Sequence, residues 1–335
     1  MLKEALFYEK LKNKLVKCKL CPRGCVIKPN GYGNCNVRKN VDGKLYSMVY
    51  AKPVSIAFDP VEKKPLFHFL PGERALSIAT VGCNFHCVYC QNWEISQAKP
   101  TEVPFSLVYP EEIVKKAKIH ECKIISYTYT EPTVFYEYML DIAKLAKKEK
   151  IKNTTVTNAF INKEPLKRLC KFLDASNIDF KGPEKHYQEL CGGWRKPVEE
   201  AIKIMYENKV WIELTYLIIP GHNDKEKDIR ETVKWIKENL SVEVPLHFTA
   251  FYPAYKMLDK EATKPETVIK ARKIAIKLGL KYVYTGNIID EVGSTTYCPE
   301  CKKPLVKRTA FYSVENKIVD GKCPYCNTKI AGVWK

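Results

Sequence analysis

From residue 75 to about 290, short apolar runs alternate with amphipathic stretches. The runs ALSIATV (75–81), KIISYTYT (123–130), NTTVTN (153–158), ASNIDFKG (175–182), WIELTYLIIP (211–220), PLHFTAF (245–251) and KYVYTG (281–286) have the length and composition of strands. Helical spacing lies between most of them. Residues 134–149 set Phe135, Tyr138, Met139, Ile142 and Ala146 on one stripe. PVEEAIKIMYENK opens with a proline suited to a first turn and spaces Val198, Ala201, Ile202 and Met205 as a helix does. KPETVIKARKIAIKLGL ends at Gly279, a C-terminal cap. Repeated strand–helix units predict an α/β fold with a parallel sheet, wound open or closed into a barrel.

The polar positions choose between these. In WIELTYLI, Glu213 and Thr215 share one face, and Ile212, Leu214 and Tyr216 the other. In PLHFTAF, His247 and Thr249 share a face. An open doubly wound sheet buries both faces and calls for uniformly apolar strands. A polar face suits the lumen of a barrel. The expected fold is therefore a partial (β/α) TIM-like barrel over 75–292, with its site at the C-terminal strand ends. Glu213 and His247 become candidate cofactor contacts in the lumen. Residues 1–74 read as a Cys-rich segment followed by a proline-punctuated extended lead-in, and 293–335 as a small separate module.

No run of 18 apolar residues occurs, so no membrane span is expected. The amphipathic start MLKEALFYEKLKNKLVKC lacks a signal-peptide apolar core. The expectation is a soluble cytoplasmic protein. The formal charge of +18 raises nucleic acid as a partner. Only 8 of the 56 basic residues are arginine, however, and lysines spread along the whole chain. That pattern fits solvated helix faces and is also a thermophile trait, so nucleic acid is not favoured. Thiolates bound to metal would bring the charge down to roughly +13.

Fourteen cysteines in an intracellular chain point to metal. Eleven fall in three groups, and Cys122, Cys170 and Cys191 read as small buried hydrophobes. Cys298, Cys301, Cys323 and Cys326 form two C-x2-C knuckles around a strand-rich stretch, the pattern of a zinc ribbon, with Zn²⁺ or a single iron as metal. Cys18, Cys21, Cys25 and Cys35 suit structural zinc or an auxiliary iron–sulfur cluster. Cys83, Cys87 and Cys90 follow the first barrel strand as C-x3-C-x2-C with no fourth thiol nearby. Three thiolates ligate three irons of a 4Fe–4S cube and leave one iron open. An open position marks catalysis, with substrate or cofactor as the fourth ligand.

GCNFHCVYC resembles the signature of the radical SAM superfamily. The resemblance implies that S-adenosylmethionine (SAM) chelates the open iron and is cleaved reductively to a 5′-deoxyadenosyl radical, which takes a hydrogen from substrate. It implies roles beside SAM for Tyr89 at the adenine, Glu131 at the amino group, Thr157 and Asn158 near the ribose, and Asp179 and Lys181 of the D-x-K pair. Tyr129 and Thr130 stand where family members usually have two glycines, and Tyr255 stands where activating enzymes have a His. LCPRGC, DPVEKKPLFHFLPG, TYTEPT and YLIIPGHND are similar to the AmmeMemoRadiSam-system enzymes, relatives of the pyruvate formate-lyase activating enzymes. That likeness implies anaerobic oxidoreductase chemistry of the EC 1.97.1 type on a protein substrate, with ferredoxin or flavodoxin as reductant. Its alternative is a small molecule, peptide or RNA presented by Memo-type and AMMECR-type partners.

Overall fold

The computed structural model describes residues 2–335. Its centre is one eight-stranded sheet. Strand β1 (Ser55–Pro60) is followed by β2 (Arg74–Ala79), α1 (Pro110–Ile119), β3 (Ile124–Tyr127), α2 (Tyr136–Lys148), β4 (Lys152–Thr157), α3 (Lys163–Cys170) and β5 (Ala175–Asp179). Then come α4 (Arg195–Glu207), β6 (Trp211–Ile218), α5 (Glu226–Asn239), β7 (Leu246–Ala250), α6 (Pro265–Lys277) and β8 (Val283–Gly286). The strands lie in chain order from β1 to β8. β2 through β8 run parallel, and β1 pairs antiparallel with β2. Order without a switch point is the winding of a barrel, and its two edges, β1 and β8, do not pair, so the barrel is partial.

All seven expected strands form, each within the run that predicted it save one residue at the starts of β2 and β4. β1 is the addition. The sheet begins at residue 55, inside the stretch read as lead-in, because Pro60 ends a strand at the edge, where a missing N–H costs no ladder bond. The helices meet their cues as well. Val198, Ala201, Ile202 and Met205 are the buried face of α4, and Gly279 follows α6 with φ +100°, a conformation open to glycine. Glu213, Thr215, His247 and Thr249 are all buried, as lumen positions should be.

Two small bodies flank the barrel. The N-terminal one holds two three-stranded antiparallel sheets. It sits beside the C-terminal strand ends, held by the fully buried ion pair of Arg38 with Glu137 of α2 at 3.0 Å. The C-terminal one is a three-stranded antiparallel sheet, Thr296–Tyr297, Pro304–Thr309 and Tyr312–Asn316. It covers the opposite end. There the loop 65–70 crosses the mouth of the barrel, and Arg308 donates to the Phe67 carbonyl at 2.7 Å with its guanidinium 4.1 Å above the Phe67 ring. Among the described residues no helix is long and apolar enough to cross a membrane.

Candidate active site

Each barrel strand that ends at the N-terminal body's side contributes to one cavity of about 550 Å³. Cys83, Cys87 and Cys90 come from the loop after β2, and Glu131 from the loop after β3. Thr157 and Asn158 end β4, and Asp179 and Lys181 end β5. Tyr89 joins them from the same loop as the three cysteines. Nine side chains scattered over 99 positions thus meet because parallel strands deliver their C-terminal ends to one rim.

Glu131 organises the rim. Its side chain is 2 % exposed. Oε1 accepts from Thr133 N at 3.0 Å, Thr133 Oγ1 at 2.6 Å and Thr157 Oγ1 at 2.7 Å, whereas Oε2 accepts only from Asn158 N at 2.8 Å. One oxygen is saturated and the other keeps room for a further donor. Burial raises the carboxyl above its usual value despite these donors. The turn before it is narrow. Tyr129 takes φ +64° in the place where glycines were absent, and its carbonyl accepts from Asn92 Nδ2 at 2.8 Å.

Lys181 Nζ donates to Asp179 Oδ2 at 2.8 Å. Burial alone would lower this ammonium, but the Asp179 carboxylate and the Cys87 and Cys191 sulfurs more than reverse that and hold it well above its ordinary value. It is a fixed cation at the cavity wall. Burial pushes the Cys83 and Cys90 thiols up, so a bound cation is what would hold them as thiolates.

Several residues here were not picked out as site residues from the sequence. Cys191, read as an isolated hydrophobe, is fully buried behind the cavity wall, with Tyr89 Oη 3.1 Å from its sulfur and Cys87 in hydrogen-bond contact. It does not line the cavity. Lys63 and Lys64 do, and both are paired to the buried Asp59, at 2.9 and 2.6 Å. Burial lowers Lys64 to about 8, and its ammonium lies 4.3 Å from the Tyr129 ring. His86 is no ligand. Its two nitrogens bond Gln97 Oε1 at 2.6 Å and Asn34 Oδ1 at 2.7 Å.

Glu213 and His247 are corrected. They lie near the starts of β6 and β7, at the far end of the lumen, and line no part of this cavity. Glu213 accepts from the Phe67 and His68 amides at 3.0 and 2.7 Å, from Trp211 Nε1 at 3.1 Å and from His247 Nε2 at 2.7 Å. Strand alternation told which face they occupy but not at what depth, and depth separates a cofactor contact from a plug.

The outer cysteines divide. Cys298, Cys301, Cys323 and Cys326 lie with all four sulfurs within 4.8 Å of one another, a closed metal site. Cys18, Cys21, Cys25 and Cys35 line a single separate cavity.

A partial parallel barrel with three thiols, a buried carboxylate and a buried ammonium around one open cavity is the architecture of an enzyme built on an open-cornered cluster. The comparisons agree. A family model described as the radical SAM superfamily matches residues 77–236. The chain is 45% identical over 331 residues to the uncharacterized protein MJ0808 of Methanocaldococcus jannaschii, spanning 98% of this chain and 99% of that one. It is 24% identical over 180 residues to the pyruvate formate-lyase-activating enzyme of Streptococcus mutans, spanning 50% and 67%. The structure of Streptococcus suis SuiB bound to S-adenosylmethionine shares the fold, with a TM-score of 0.52 at 15% identity over 68% of this chain and 53% of that one. The chain belongs to the radical SAM superfamily.

The cluster and SAM implied by that family suit these residues. The donor set is three thiols from one loop, with no fourth cysteine lining the cavity among the described residues, a carboxylate oxygen with spare capacity for an amine, and a cation for a carboxylate.

Proposed function

We propose that this enzyme abstracts a hydrogen atom from a protein substrate, in the manner of a glycyl-radical activase. The single observation that carries the reading is the convergence of Cys83, Cys87, Cys90, Glu131, Asp179 and Lys181 on one open cavity. Bound there, a 4Fe–4S cluster with SAM supplies reductive cleavage of the sulfonium and a carbon radical. The chain's own residues do the rest. Cys83, Cys87 and Cys90 hold the cluster. The free capacity of Glu131 Oε2 would accept an ammonium, and the Lys181 ammonium would receive a carboxylate. Thr157 and Asn158 are held by Glu131 itself, so the polar wall is rigid before anything binds. Tyr252 and Asn287 line the same cavity, from the loops after β7 and β8. The likeness to a pyruvate formate-lyase-activating enzyme supports a polypeptide as substrate.

Lys63 and Lys64 favour a second reading, radical modification of an anionic small molecule, peptide or RNA brought by Memo-type or AMMECR-type partners. Two lysines against one Asp59 leave a net positive charge at the cavity wall. The deciding experiment is anaerobic reconstitution with dithionite and SAM. Release of 5′-deoxyadenosine, lost in Cys87→Ala, is expected, and its absence from a fully loaded wild-type protein would reject both readings. An organic radical on a co-incubated glycyl-radical enzyme selects the first. Silence there, with deoxyadenosine release stimulated by a candidate anionic substrate, selects the second.

A further inference from the structure

The geometry points to a polynuclear iron–sulfur cluster, and not a single metal ion, at Cys18, Cys21, Cys25 and Cys35. The first ground is sulfur spacing. One tetrahedral ion with sulfurs at about 2.3 Å requires every sulfur–sulfur edge to be about 3.8 Å. The C-terminal set meets this, with Cys298–Cys326 at 3.5 Å and Cys301–Cys323 at 3.7 Å. Among the described residues it is the only set of three or more ligating side chains with all donor atoms within 4.8 Å of one another. The N-terminal cysteines surround one cavity, yet no three of them are that close. Cys83, Cys87 and Cys90 are likewise not all within that distance of one another, and theirs is the triad that the family gives to a cube. A cube places each thiolate on its own iron, so its sulfurs stand apart. The N-terminal set follows the cluster pattern.

The second ground is Arg38. Its side chain is 2 % exposed and lines the same cavity. One terminal nitrogen is engaged, with Leu6 O at 2.6 Å and Glu137 Oε1 at 3.0 Å. Nε and the other terminal nitrogen are buried with no partner. Orphaned buried donors cost about 1–3 kcal/mol each, and the bridging sulfides of an anionic cluster accept such N–H groups.

The cavity backs onto the catalytic loop. Asn84 is in its wall and follows Cys83 directly, and Asn84 Oδ1 accepts at 3.0 Å from Asn158, a residue of the catalytic cavity. A Cβ on Gly82 would stand 2.8 Å from the Cys35 carbonyl. One layer of side chains therefore separates the two sites.

The test uses the full chain with Cys83, Cys87 and Cys90 replaced by Ala, purified and reconstituted anaerobically with ferrous iron and sulfide. Acid-labile sulfide matched by an equal number of irons is expected, about two to four of each per chain beyond any single ion held by the C-terminal cysteines, with visible absorption that dithionite bleaches and that Cys21→Ser with Cys25→Ser removes. Absence of acid-labile sulfide, whatever zinc or iron the C-terminal cysteines retain, would overturn the inference. Should that variant not fold, wild-type protein enriched in iron-57 serves: sulfide-matched iron above about four per chain upholds a second cluster, and four or fewer rejects it. A triad variant that keeps its cluster beside a wild-type enzyme that releases no 5′-deoxyadenosine would instead fault the catalytic reading.

Discussion

Acid should weaken the joint between barrel and C-terminal body through one histidine. His68 is fully buried in the loop that closes the barrel. Its Nδ1–H donates to the Ala331 carbonyl at 2.6 Å, and its Nε2 accepts from the Tyr284 hydroxyl, which in turn accepts from Thr296 at 2.8 Å. This wiring needs a neutral ring, since a protonated ring has no acceptor for Tyr284. Burial holds its pKa down at about 4, against an ordinary value of about 6.5. The folded pKa is the depressed one, so the unfolded chain binds the proton first. The contribution to stability is complete above about pH 6.5 and is lost as pH falls from there towards 4, by about 1.4 kcal/mol per unit and about 3 kcal/mol in all. Urea unfolding of wild type and His68→Gln at pH 7.5 and 5.5 isolates the effect, because carboxylates and metal ligands titrate alike in both. The wild-type advantage should shrink by about 1.4 kcal/mol between the two pH values. An advantage that does not change with pH would refute the neutral-ring wiring.

Three other outcomes are expected. Glu213→Ala strips an acceptor from two buried amides and the His247 ring, and should cost about 3–5 kcal/mol, read as lost hydrogen-exchange protection at Phe67 and His68; protection equal to wild type would contradict it. Gly82→Ala forces a Cβ to within 2.5 Å of Val37 and 2.8 Å of the Cys35 carbonyl at φ +98°, so it should cost more than about 1 kcal/mol and loosen the N-terminal body, checked by limited proteolysis ahead of residue 55. Lys181→Met should weaken SAM binding by about tenfold or more while leaving the iron content unchanged, measured by equilibrium dialysis, and unaltered affinity would remove Lys181 from the site.

The catalytic end was legible because its signals are local. A thiol triad directly after a strand, a Glu-Pro turn after the next and a D-x-K at the end of another each carry meaning within a few residues, and parallel winding sends all of them to one rim. The zinc-ribbon spacing was legible for the same reason, since two knuckles and a hairpin close on a single ion. Periodicity of two told that Glu213 and His247 face inward. It could not tell that loop 65–70 would cross the far mouth and claim them, because that contact joins positions 146 and 145 residues apart.

The sequence by itself thus determined the barrel, the order of its strands, the cluster loop and the closed C-terminal metal site. These depend on period, spacing and chain order, which are written along the chain. Only the tertiary structure decided the depth of each polar residue, the salt-bridged Lys63 and Lys64 at the cavity wall, Cys191 behind Tyr89, and the burial of Arg38 beside the four N-terminal thiols. Those depend on which distant segments share a desolvated space, and in that space an unpaired donor or charge is costly enough to reveal what it is waiting for.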